Sequence, residues 1–271
     1  MSSTSPSSTP LCRLCGGYTL PRSAYGRPFA ECDQCGFVFA YGPTAPAIDR
    51  GMGMLGSWSG PGGGGYREYF LVEMLRRDLG GRKFLLYGTG NTPTLENLLN
   101  EGVDVVGADV SRDVVEFKKR THGEDRFSTP DALPASERYD GIVAVEVFEH
   151  FSEPRRNIEL LVQRLAPGGV ITGTTDFYRN GNLEDATEPG YLRSTGHVAY
   201  WSEKSLGHLA QSFGLALALF ELVRPGSVIP DEKFGKLWVN KRVFFLYDPA
   251  RHQGYFSELA RTTPILPIDN P

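Results

Sequence analysis

The sequence predicts an α/β protein with a parallel sheet, preceded by a small N-terminal module that contains every cysteine of the chain. Three observations support this fold class. Apolar runs of strand length alternate with segments of helical periodicity from residue 66 to residue 175, as in strands joined by crossover helices. One strand-to-helix turn is built from glycines, and an acidic residue ends the next strand. The cysteines occur as two close pairs within residues 12–35.

The composition disfavours several classes of protein. A chain of 271 residues buries roughly three quarters of its unfolded surface, so a substantial core is available. The formal net charge of −4 makes a nucleic acid partner unlikely, and no apolar run approaches the ~20 residues that cross a bilayer. Residues 1–10 lack the basic and apolar regions of a secretion signal, which predicts a disordered lead and a cytoplasmic protein. Nothing in the sequence indicates an oligomeric state.

The cysteine pattern is typical of a structural zinc site. Its spacing is Cys-x2-Cys-x16-Cys-x2-Cys, and a glycine follows each pair, where a metal-binding knuckle has to turn. Two disulfides or a redox dithiol are the alternatives, which the lack of a secretion signal disfavours. The predicted zinc-ribbon-like module spans residues 1–41, and its apolar residues 37–41 are expected to dock onto the next domain. The predicted zinc ligands are Cys12, Cys15, Cys32 and Cys35.

Residues 42–65 are rich in glycine and proline, which predicts a linker. Trp58 and Tyr66 lie beside this glycine-rich stretch, so a mobile lid is the alternative. The rest of the chain, residues 66–271, is predicted to be the α/β domain, and it begins with a helix over 66–79.

The centre of this domain is a predicted βαβ unit over residues 83–109. An apolar strand ends in the turn Gly88-Thr89-Gly90, and Thr92 is expected to cap the following helix. Glycine lets a ligand approach the backbone closely, and the start of a helix offers unpaired N–H groups to an anion. Asp109 ends the second strand ~20 residues later, where a carboxylate can hold ribose hydroxyls. These features predict a nucleoside-type ligand, and a turn without a ligand is the alternative.

The remaining elements follow in regular order. The sequence predicts helix 111–120, strand 127–133, strand 142–147, helix 157–166, strand 170–175, a helix from Ser202 to residue 213, and strands 215–223 and 242–247. Asp131 is a candidate for contact with an adenine amino group, with a local Asx-turn as the alternative. The long polar segment 176–200 is predicted to bind the substrate, with Tyr178, Tyr191 and Arg193 as its candidate contacts.

Ionisable side chains concentrate after strand 142–147. Glu146, Glu149 and His150 would share one face of a helical turn, and His197 follows the neighbouring strand and is expected to converge on them. In one interpretation His150 is a general base assisted by a carboxylate. In the other, two carboxylates and one or two imidazoles hold a divalent cation that binds a substrate hydroxyl and lowers its pKa. Structural roles for Glu149 and His150 are the third possibility.

The chain resembles the class I S-adenosylmethionine-dependent methyltransferases. The resemblance runs from residue 66 to residue 247 and rests on GTG at 88–90, Asp109, EVFEH at 146–150, LAPGG at 165–169 and HVAYWS at 197–202. It implies a Rossmann-like, seven-stranded sheet whose last strand is antiparallel. The cofactor would lie across Gly88, Gly90, Asp109 and Asp131. Sugar and natural-product methyltransferases of this family include members with a similar N-terminal zinc module.

The resemblance implies two roles for the acidic and imidazole groups. In sugar C-methyltransferases the histidine of the Glu-His pair is the base, which corresponds to His150 with Glu149 beside it. In ubiquinone-type O-methyltransferases and small-RNA 2′-O-methyltransferases a similar set binds a metal, Mg²⁺ or Mn²⁺, which corresponds to Glu146, Glu149 and His150. A part for His197 is a weaker correspondence. The expected substrate is a small molecule with a reactive hydroxyl or an activated carbon.

The sequence departs from the family pattern at two positions and leaves two other classes of protein to consider. The family has an acid where this chain has Leu86 and a third glycine where it has Thr92. A nicotinamide oxidoreductase needs glycine where this chain has Pro93, which disfavours that class. A non-catalytic, zinc-containing interaction protein with a degenerate cofactor loop is the alternative outside the enzymes.

Overall fold

The structure is a computed structural model, and it describes residues 9–42, 65–90, 92–123, 125–178, 183, 189–223, 241–262 and 265–267. Its strands are β1 Thr19–Ala24, β2 Arg27–Cys32, β3 Val38–Ala40, β4 Lys83–Tyr87, β5 Asp104–Ala108, β6 Phe127–Ser128, β7 Tyr139–Val145, β8 Leu165–Asp176, β9 Ala199–Tyr200, β10 Ala216–Val223, β11 Lys241–Tyr247 and β12 Ile265–Pro267. Its α-helices are α1 Gly65–Leu79, α2 Thr94–Asn100, α3 Arg112–His122, α4 Pro154–Val162, α5 Pro189–Arg193, α6 Glu203–Ser212 and α7 Pro249–Thr262.

The main sheet has the strand order β12-β10-β11-β8-β7-β4-β5-β6. β11 pairs antiparallel with both β8 and β10, whereas every other pairing between the described strands of this sheet is parallel. The seven predicted strands are therefore present with the last one antiparallel, and the prediction is confirmed. The three-residue β12 adds an edge strand that the sequence did not indicate.

Helices cover both faces of the main sheet, and their apolar stripes form its two cores. On one face α1 places Leu71, Val72 and Leu75 against β4 and β7, all fully or almost fully buried. Gly141 in β7 makes this approach possible, because a Cβ atom there would lie 2.6 Å from Leu75 Cδ1. The core on the other face contains Phe148 and Trp201, whose ring centroids lie 5.9 Å apart. Both faces of the sheet are thus closed, as parallel sheets require.

The helix starts follow the predicted caps in two cases out of three. Ser111 accepts a hydrogen bond from the Val114 amide at 3.4 Å, and Ser202 forms a capping box with Ser205. Thr92 does not cap α2, because this helix begins at Thr94 after Pro93 and has no side-chain cap. The Thr92 hydroxyl instead lies 3.0 Å from the Thr89 hydroxyl. The prediction of a Thr92 cap was therefore wrong.

Several predicted boundaries also need correction. The strand predicted over 127–133 consists of Phe127 and Ser128 alone, since residues 130–132 form a turn. The helix predicted over 157–166 spans Pro154–Val162, and residues from 165 onward already belong to β8. The 14-residue helix α7 follows the last predicted strand and was missed altogether. No helix in the described ranges is both long enough and apolar enough to cross a bilayer.

The N-terminal module forms a second, smaller sheet. Strands β1, β2 and β3 are antiparallel, and β9 from the distant loop 176–200 joins them as the fourth strand. Phe37 and Phe39 are fully buried in the same core as Trp201, so the predicted docking of residues 37–41 is confirmed. The linker or lid predicted for residues 42–65, including Trp58, lies outside the described residues except at its two ends.

Candidate active site

The glycine turn after β4 has the backbone conformation that its sequence predicts. Gly88 and Gly90 have φ angles of +71° and +58°, a region that side chains with a Cβ atom rarely adopt. A Cβ atom on Gly88 would lie 2.6 Å from Val147 Cγ2, whereas one on Gly90 would meet nothing within 4 Å. Gly88 therefore packs the turn against the start of the segment that carries His150, and Gly90 leaves an open face for a ligand.

Asp109 ties this turn to the end of β5. Its Oδ2 atom accepts the Gly90 amide at 2.9 Å, and its Oδ1 atom accepts the Ser111 amide at 2.8 Å. Burial raises the pKa of Asp109, and the backbone hydrogen bonds oppose that rise. Even with a third backbone donor from Val110, the carboxylate keeps a lone pair that can accept a ribose hydroxyl. The predicted glycines and acid thus lie together and fit a nucleoside.

At one of the two departures from the family pattern, a buried side chain supports the loop. Leu86 is fully buried in the core and has no polar role. The loop at Thr92 is braced by Lys118, whose ammonium is almost fully buried and donates to the Thr92 carbonyl at 2.7 Å and to Glu96 at 2.6 Å. Tyr87 and Asn91 are the polar residues nearest in sequence that could replace the missing acid, and Asn91 lies outside the described residues. Burial raises the pKa of Tyr87 to about 12, so it is a neutral phenol at physiological pH.

Two polar residues lie at the end of β6 and in the turn that follows it. Asp131 is exposed in the turn that follows Thr129, and a hydrogen bond from the Thr129 side chain lowers the pKa of its carboxyl group. Its adenine contact stays a prediction. The Ser128 hydroxyl is buried and has no hydrogen-bond partner among the described residues, although the Ser128 carbonyl accepts the Asp109 amide at 3.2 Å. A buried hydroxyl that has no described partner and lies on the strand next to Asp109 fits a nucleoside site. Nothing in the sequence pattern distinguished Ser128.

Glu146 lies outside the close group that Glu149, His150 and His197 form. It directly follows β7, and its φ angle of +55° ends the extended backbone of that strand. Its Oε1 atom accepts Arg67 Nη1 at 2.9 Å and Thr174 Oγ1 at 2.7 Å. The expectation that Glu146, Glu149 and His150 share one helical face is therefore wrong, because only residues 148–150 form a 3₁₀ turn.

Glu68, one residue after Arg67, is a buried acid near Glu146. It lies on the stripe of α1 that faces the sheet, is 4% exposed, and its Oε2 atom has no hydrogen-bond partner among the described residues. Burial raises the pKa of Glu68 to about 8, and the nearby charge of Glu146 adds to that rise. Glu68 therefore holds a proton at neutral pH in the absence of a bound cation.

Glu68→Gln is expected to remove a pH-dependent loss of stability. The folded protein keeps the Glu68 proton up to a pKa of about 8, while the unfolded chain releases it near 4.5. Stability of the native protein should therefore fall by on the order of 3 kcal/mol between pH 5 and pH 8, by the linkage of proton binding to unfolding. Urea unfolding across this range, without cofactor, should show that slope in the native protein and a flatter curve in the variant. Equal slopes would contradict the buried, protonated state.

Glu149, His150 and His197 form a compact cluster at the ends of β7 and β8. A carboxylate oxygen of Glu149 and one ring nitrogen from each histidine all lie within 4.8 Å of one another. The two imidazole centroids are 5.0 Å apart in an edge-to-face arrangement. Glu149 is fully buried, and Thr175 donates to its Oε2 atom at 3.1 Å. The predicted convergence of His197 on this group is thus present in the structure.

Backbone carbonyls fix the tautomers of both histidines. His150 Nδ1 lies 2.8 Å from the Gly196 carbonyl, and His197 Nδ1 lies 2.9 Å from the Tyr191 carbonyl. Because a carbonyl only accepts, each Nδ1 atom carries a proton, and in the neutral form of His150 the lone pair is on Nε2. Burial lowers the pKa of His150, so its imidazole is neutral near pH 7. A neutral ring with a free Nε2 can take a proton or bind a cation.

The predicted substrate contacts divide between the cluster and the N-terminal module. The ring centroids of Tyr191 and His197 lie 4.2 Å apart, and the Tyr191 hydroxyl lies 3.0 Å from Thr175 Oγ1. The Tyr178 hydroxyl donates to the Gly36 carbonyl, and the Arg193 guanidinium lies 4.8 Å from the centre of the Tyr25 ring. As substrate contacts all three stay predictions, and only Tyr191 touches the histidine cluster.

The four cysteine sulfurs have the spacing of a tetrahedral metal site. Cys12 and Cys35 Sγ atoms lie 3.7 Å apart, Cys15 and Cys32 Sγ atoms lie 3.5 Å apart, and all four lie within 4.8 Å. Four thiolates around one zinc ion lie about 3.8 Å from each other, given Zn–S bonds of ~2.3 Å. A disulfide requires ~2.0 Å, which none of these pairs approaches. The donor set therefore fits zinc.

The strand order, the glycine turn and the acid at the end of β5 define a Rossmann-like fold. Residues 66–219, which are more than half of the 271-residue chain, match the family model described as a methyltransferase domain. The chain therefore belongs to this methyltransferase-domain family. Membership of this family sets aside the nicotinamide oxidoreductase, whereas a non-catalytic member of the family stays the alternative outside the enzymes.

Two curated relatives carry the same name. The ubiquinone biosynthesis O-methyltransferase of Paramagnetospirillum magneticum is 33% identical over 110 residues, which are 38% of this chain and 44% of the relative. The enzyme of that name from Roseobacter denitrificans is 28% identical over 163 residues, 57% of this chain and 63% of the relative. The matches thus span about half to three fifths of those proteins' length.

Solved structures agree in fold at low sequence identity. A chain in the complex of the Haloferax volcanii Trm112 methyltransferase activator with a methyltransferase aligns with a TM-score of 0.51 and 16% identity, covering 68% of this chain and 91% of that one. CalS10 from Micromonospora echinaspora, an amino pentose methyltransferase solved with bound S-adenosylmethionine, aligns with a TM-score of 0.51 and 13% identity, covering 69% and 92%. These likenesses concern the fold alone.

Proposed function

We propose that this protein transfers the methyl group of S-adenosylmethionine to a hydroxyl group of a small molecule, with His150 as the general base. The observation that carries this proposal is the His150 imidazole, neutral by burial and pinned through Nδ1 so that Nε2 keeps its lone pair. The name shared by the two curated relatives supports oxygen as the acceptor atom. An activated carbon is the alternative acceptor for the same base.

The cofactor would be held by the glycine turn and by Asp109. Gly90 offers an open backbone face, Asp109 offers two oxygens to the ribose, and Ser128 offers an orphaned hydroxyl nearby. When bound, S-adenosylmethionine supplies a sulfonium methyl group that is already activated for transfer. The protein then has to align the acceptor oxygen, exclude water and remove the hydroxyl proton.

His150 and its neighbours are suited to that proton transfer. The acceptor hydroxyl would donate to His150 Nε2, and the positive charge formed on the ring would be stabilised by the Gly196 carbonyl and by the carboxylate of Glu146. Glu149 was expected to assist His150 directly. That role stays a prediction. Glu149 Oε2 accepts a hydrogen bond from Thr175 Oγ1, which lies 3.0 Å from the Tyr191 hydroxyl. We assign Glu149 the role of a buried negative charge beside the two rings.

Asp109→Ala is expected to weaken S-adenosylmethionine binding about 10- to 100-fold, since charge-assisted hydrogen bonds contribute ~1.5–3 kcal/mol each. Asp104→Ala is the matched control, because Asp104 begins the same strand and pairs with the exposed Arg126. Calorimetry with S-adenosylmethionine measures both variants against the native protein. Methyl transfer to hydroxylated metabolites, detected as a mass gain of one CH₂ group, tests the activity itself. No binding by the native protein would sink the proposed function.

A divalent cation at Glu149, His150 and His197 is the second candidate mechanism. The three ligand atoms lie within 4.8 Å of one another, and ligands around one Mg²⁺ or Mn²⁺ ion lie up to about 4.2 Å apart. Glu146 does not belong to this set, so the predicted ligand group would lose that carboxylate. Two imidazoles and one carboxylate suit Mn²⁺ better than Mg²⁺. A strict requirement for added cation would favour this mechanism over the base.

We also propose that the four cysteines hold a structural zinc ion. The Leu14 amide donates to Cys12 Sγ at 3.4 Å, and the Cys35 amide donates to Cys32 Sγ at 3.5 Å. Hydrogen bonds of this kind orient and stabilise zinc-bound thiolates. All four positions would be filled by sulfur, so no open position is left for catalysis. The domain division at residues 1–41, 42–65 and 66–271 stays a prediction, although β9 already joins the module to the main domain.

A further inference from the structure

We propose that Arg27, on strand β2 of the N-terminal module, is a positioning residue that holds the His197 loop and thereby sets the geometry of both histidines. This inference rests on the proposed function of the histidine cluster. It gives the cysteine module a part in catalysis, although the module contributes no group to the cluster itself.

The Arg27 guanidinium binds a row of backbone carbonyls in the segment 191–197. Nη1 donates to the carbonyls of Leu192 and Ser194, the latter at 2.7 Å, and Nη2 donates to the His197 carbonyl at 3.2 Å. Nη1 also lies 3.3 Å from the Tyr200 hydroxyl, which itself donates to the His197 carbonyl at 2.9 Å. A planar guanidinium with five N–H groups can satisfy several acceptors at once, which a lysine ammonium cannot do in this geometry.

The loop needs such a partner because its own secondary structure is short. Helix α5 has five residues, so most of its carbonyls lack an intrahelical partner at its C-terminal end. A cation at that end also offsets the negative end of the helix. Arg27 thus caps α5 from a strand that lies 165 residues away in sequence from Leu192.

Both catalytic rings are attached to this same segment. His150 is pinned by the Gly196 carbonyl, and His197 is pinned by the Tyr191 carbonyl. The next residue, Val198, is held from two sides: its carbonyl accepts the Ala40 amide of the module at 3.0 Å, and its amide donates to the Glu149 carbonyl at 2.9 Å. A shift of the segment would therefore move both Nε2 atoms relative to the acceptor.

Arg27→Met tests the proposal, because methionine keeps an unbranched apolar side chain without the guanidinium. We expect kcat to fall about 10- to 100-fold, since a misplacement of ~1 Å can cost 10²-fold, with binding of S-adenosylmethionine unchanged. Arg27→Lys should recover part of the loss. Arg22→Met is the matched control, because Arg22 lies on the adjacent strand and forms an ion pair with Glu31 within the module.

A readout besides activity separates positioning from simple destabilisation. The Nδ1–H signals of His150 and His197 in nitrogen-15 NMR report their carbonyl hydrogen bonds, and in Arg27→Met both should shift or broaden while zinc content and melting temperature stay near native values. Native kcat with unchanged imidazole signals would overturn the proposal. If Arg27→Met does not fold, Tyr200→Phe is the second variant, because it removes one hydrogen bond to the His197 carbonyl. It should give a smaller change in the same imidazole signals. Unchanged signals in Tyr200→Phe would also overturn the proposal. If His150→Ala retained full activity, the proposed function would fail, while the NMR signals would still test the attachment.

Discussion

Replacing His150 with alanine is expected to lower kcat by about 10²- to 10⁴-fold, the range over which a positioned general base accelerates proton transfer. The affinity for S-adenosylmethionine should stay at its native value, because the glycine turn and Asp109 do not contact the His150 ring. Single-turnover methyl transfer, together with calorimetric binding of the cofactor, measures both quantities. Unchanged turnover would remove His150 from the mechanism.

The pH dependence of the native enzyme provides an independent check on this role. Burial lowers the pKa of His150, so the imidazole stays neutral and able to accept a proton until the pH falls below the ordinary histidine range. Activity should therefore be flat around neutral pH and decline on the acidic side, with a midpoint below ~6.5. The acidic limb should be absent from the residual activity of the alanine variant. His208→Ala, an exposed histidine on α6, is the control and should leave the profile unchanged.

The effect of removing divalent cations distinguishes the general-base mechanism from the cation mechanism. If His150 acts as a base, a chelator that leaves the cysteine site loaded should not reduce the activity of the native enzyme. If a cation acts, the chelator should abolish activity, Mn²⁺ or Mg²⁺ should restore it, and Glu149→Gln and His197→Ala should each raise the cation concentration that is required. The cysteine site has to be assayed for zinc in the same samples, because its loss would otherwise mimic the second result.

The sequence was sufficient for those parts of the structure that are determined locally. The turn Gly88-Thr89-Gly90 and Asp109 were predictable because glycine conformations and a strand-end acid depend on a few adjacent residues. The strands of the main sheet were predictable from their apolar runs, since both faces of a parallel sheet are buried. Strand β9 was not predictable, because two residues carry no periodicity and pair only when β3 is already in place.

The errors at the site come from contacts between residues far apart in sequence. Glu146 has the spacing of a catalytic acid, but its carboxylate pairs with Arg67, 79 residues away in sequence, and it is not part of the histidine cluster. The groups that orient the imidazoles are backbone carbonyls of Gly196 and Tyr191, which any residue type would supply. Arg27 reaches partners 165 to 173 residues away and sits in a module that appeared to have only a structural purpose. The sequence thus predicted which ionisable side chains are available at the site, but it did not predict how those side chains are oriented.

The zinc proposal has the other large expected effect. Cys35→Ser should abolish zinc binding, reducing the metal content from one zinc ion per chain to none, as measured by elemental analysis. A structural zinc site contributes on the order of 10 kcal/mol to the fold that contains it, as much as the whole stability of an ordinary domain. The small sheet of β1, β2 and β3 should therefore unfold, and residues 9–42 should become sensitive to protease.

The loss should extend beyond the module, because its core is continuous with the main domain. Cys35 and Phe37 belong to the same buried cluster as Trp201, whose ring lies 4.9 Å from that of Phe37. Unfolding of the module would also release Arg27 from the His197 loop, so kcat should fall at least as far as in Arg27→Met. Asp33→Asn, between the second pair of cysteines and exposed, is the control and should keep both zinc and activity. A native protein without zinc, or a serine variant with a protected module and full activity, would contradict the structural role, because the module would then be held by its apolar contacts alone.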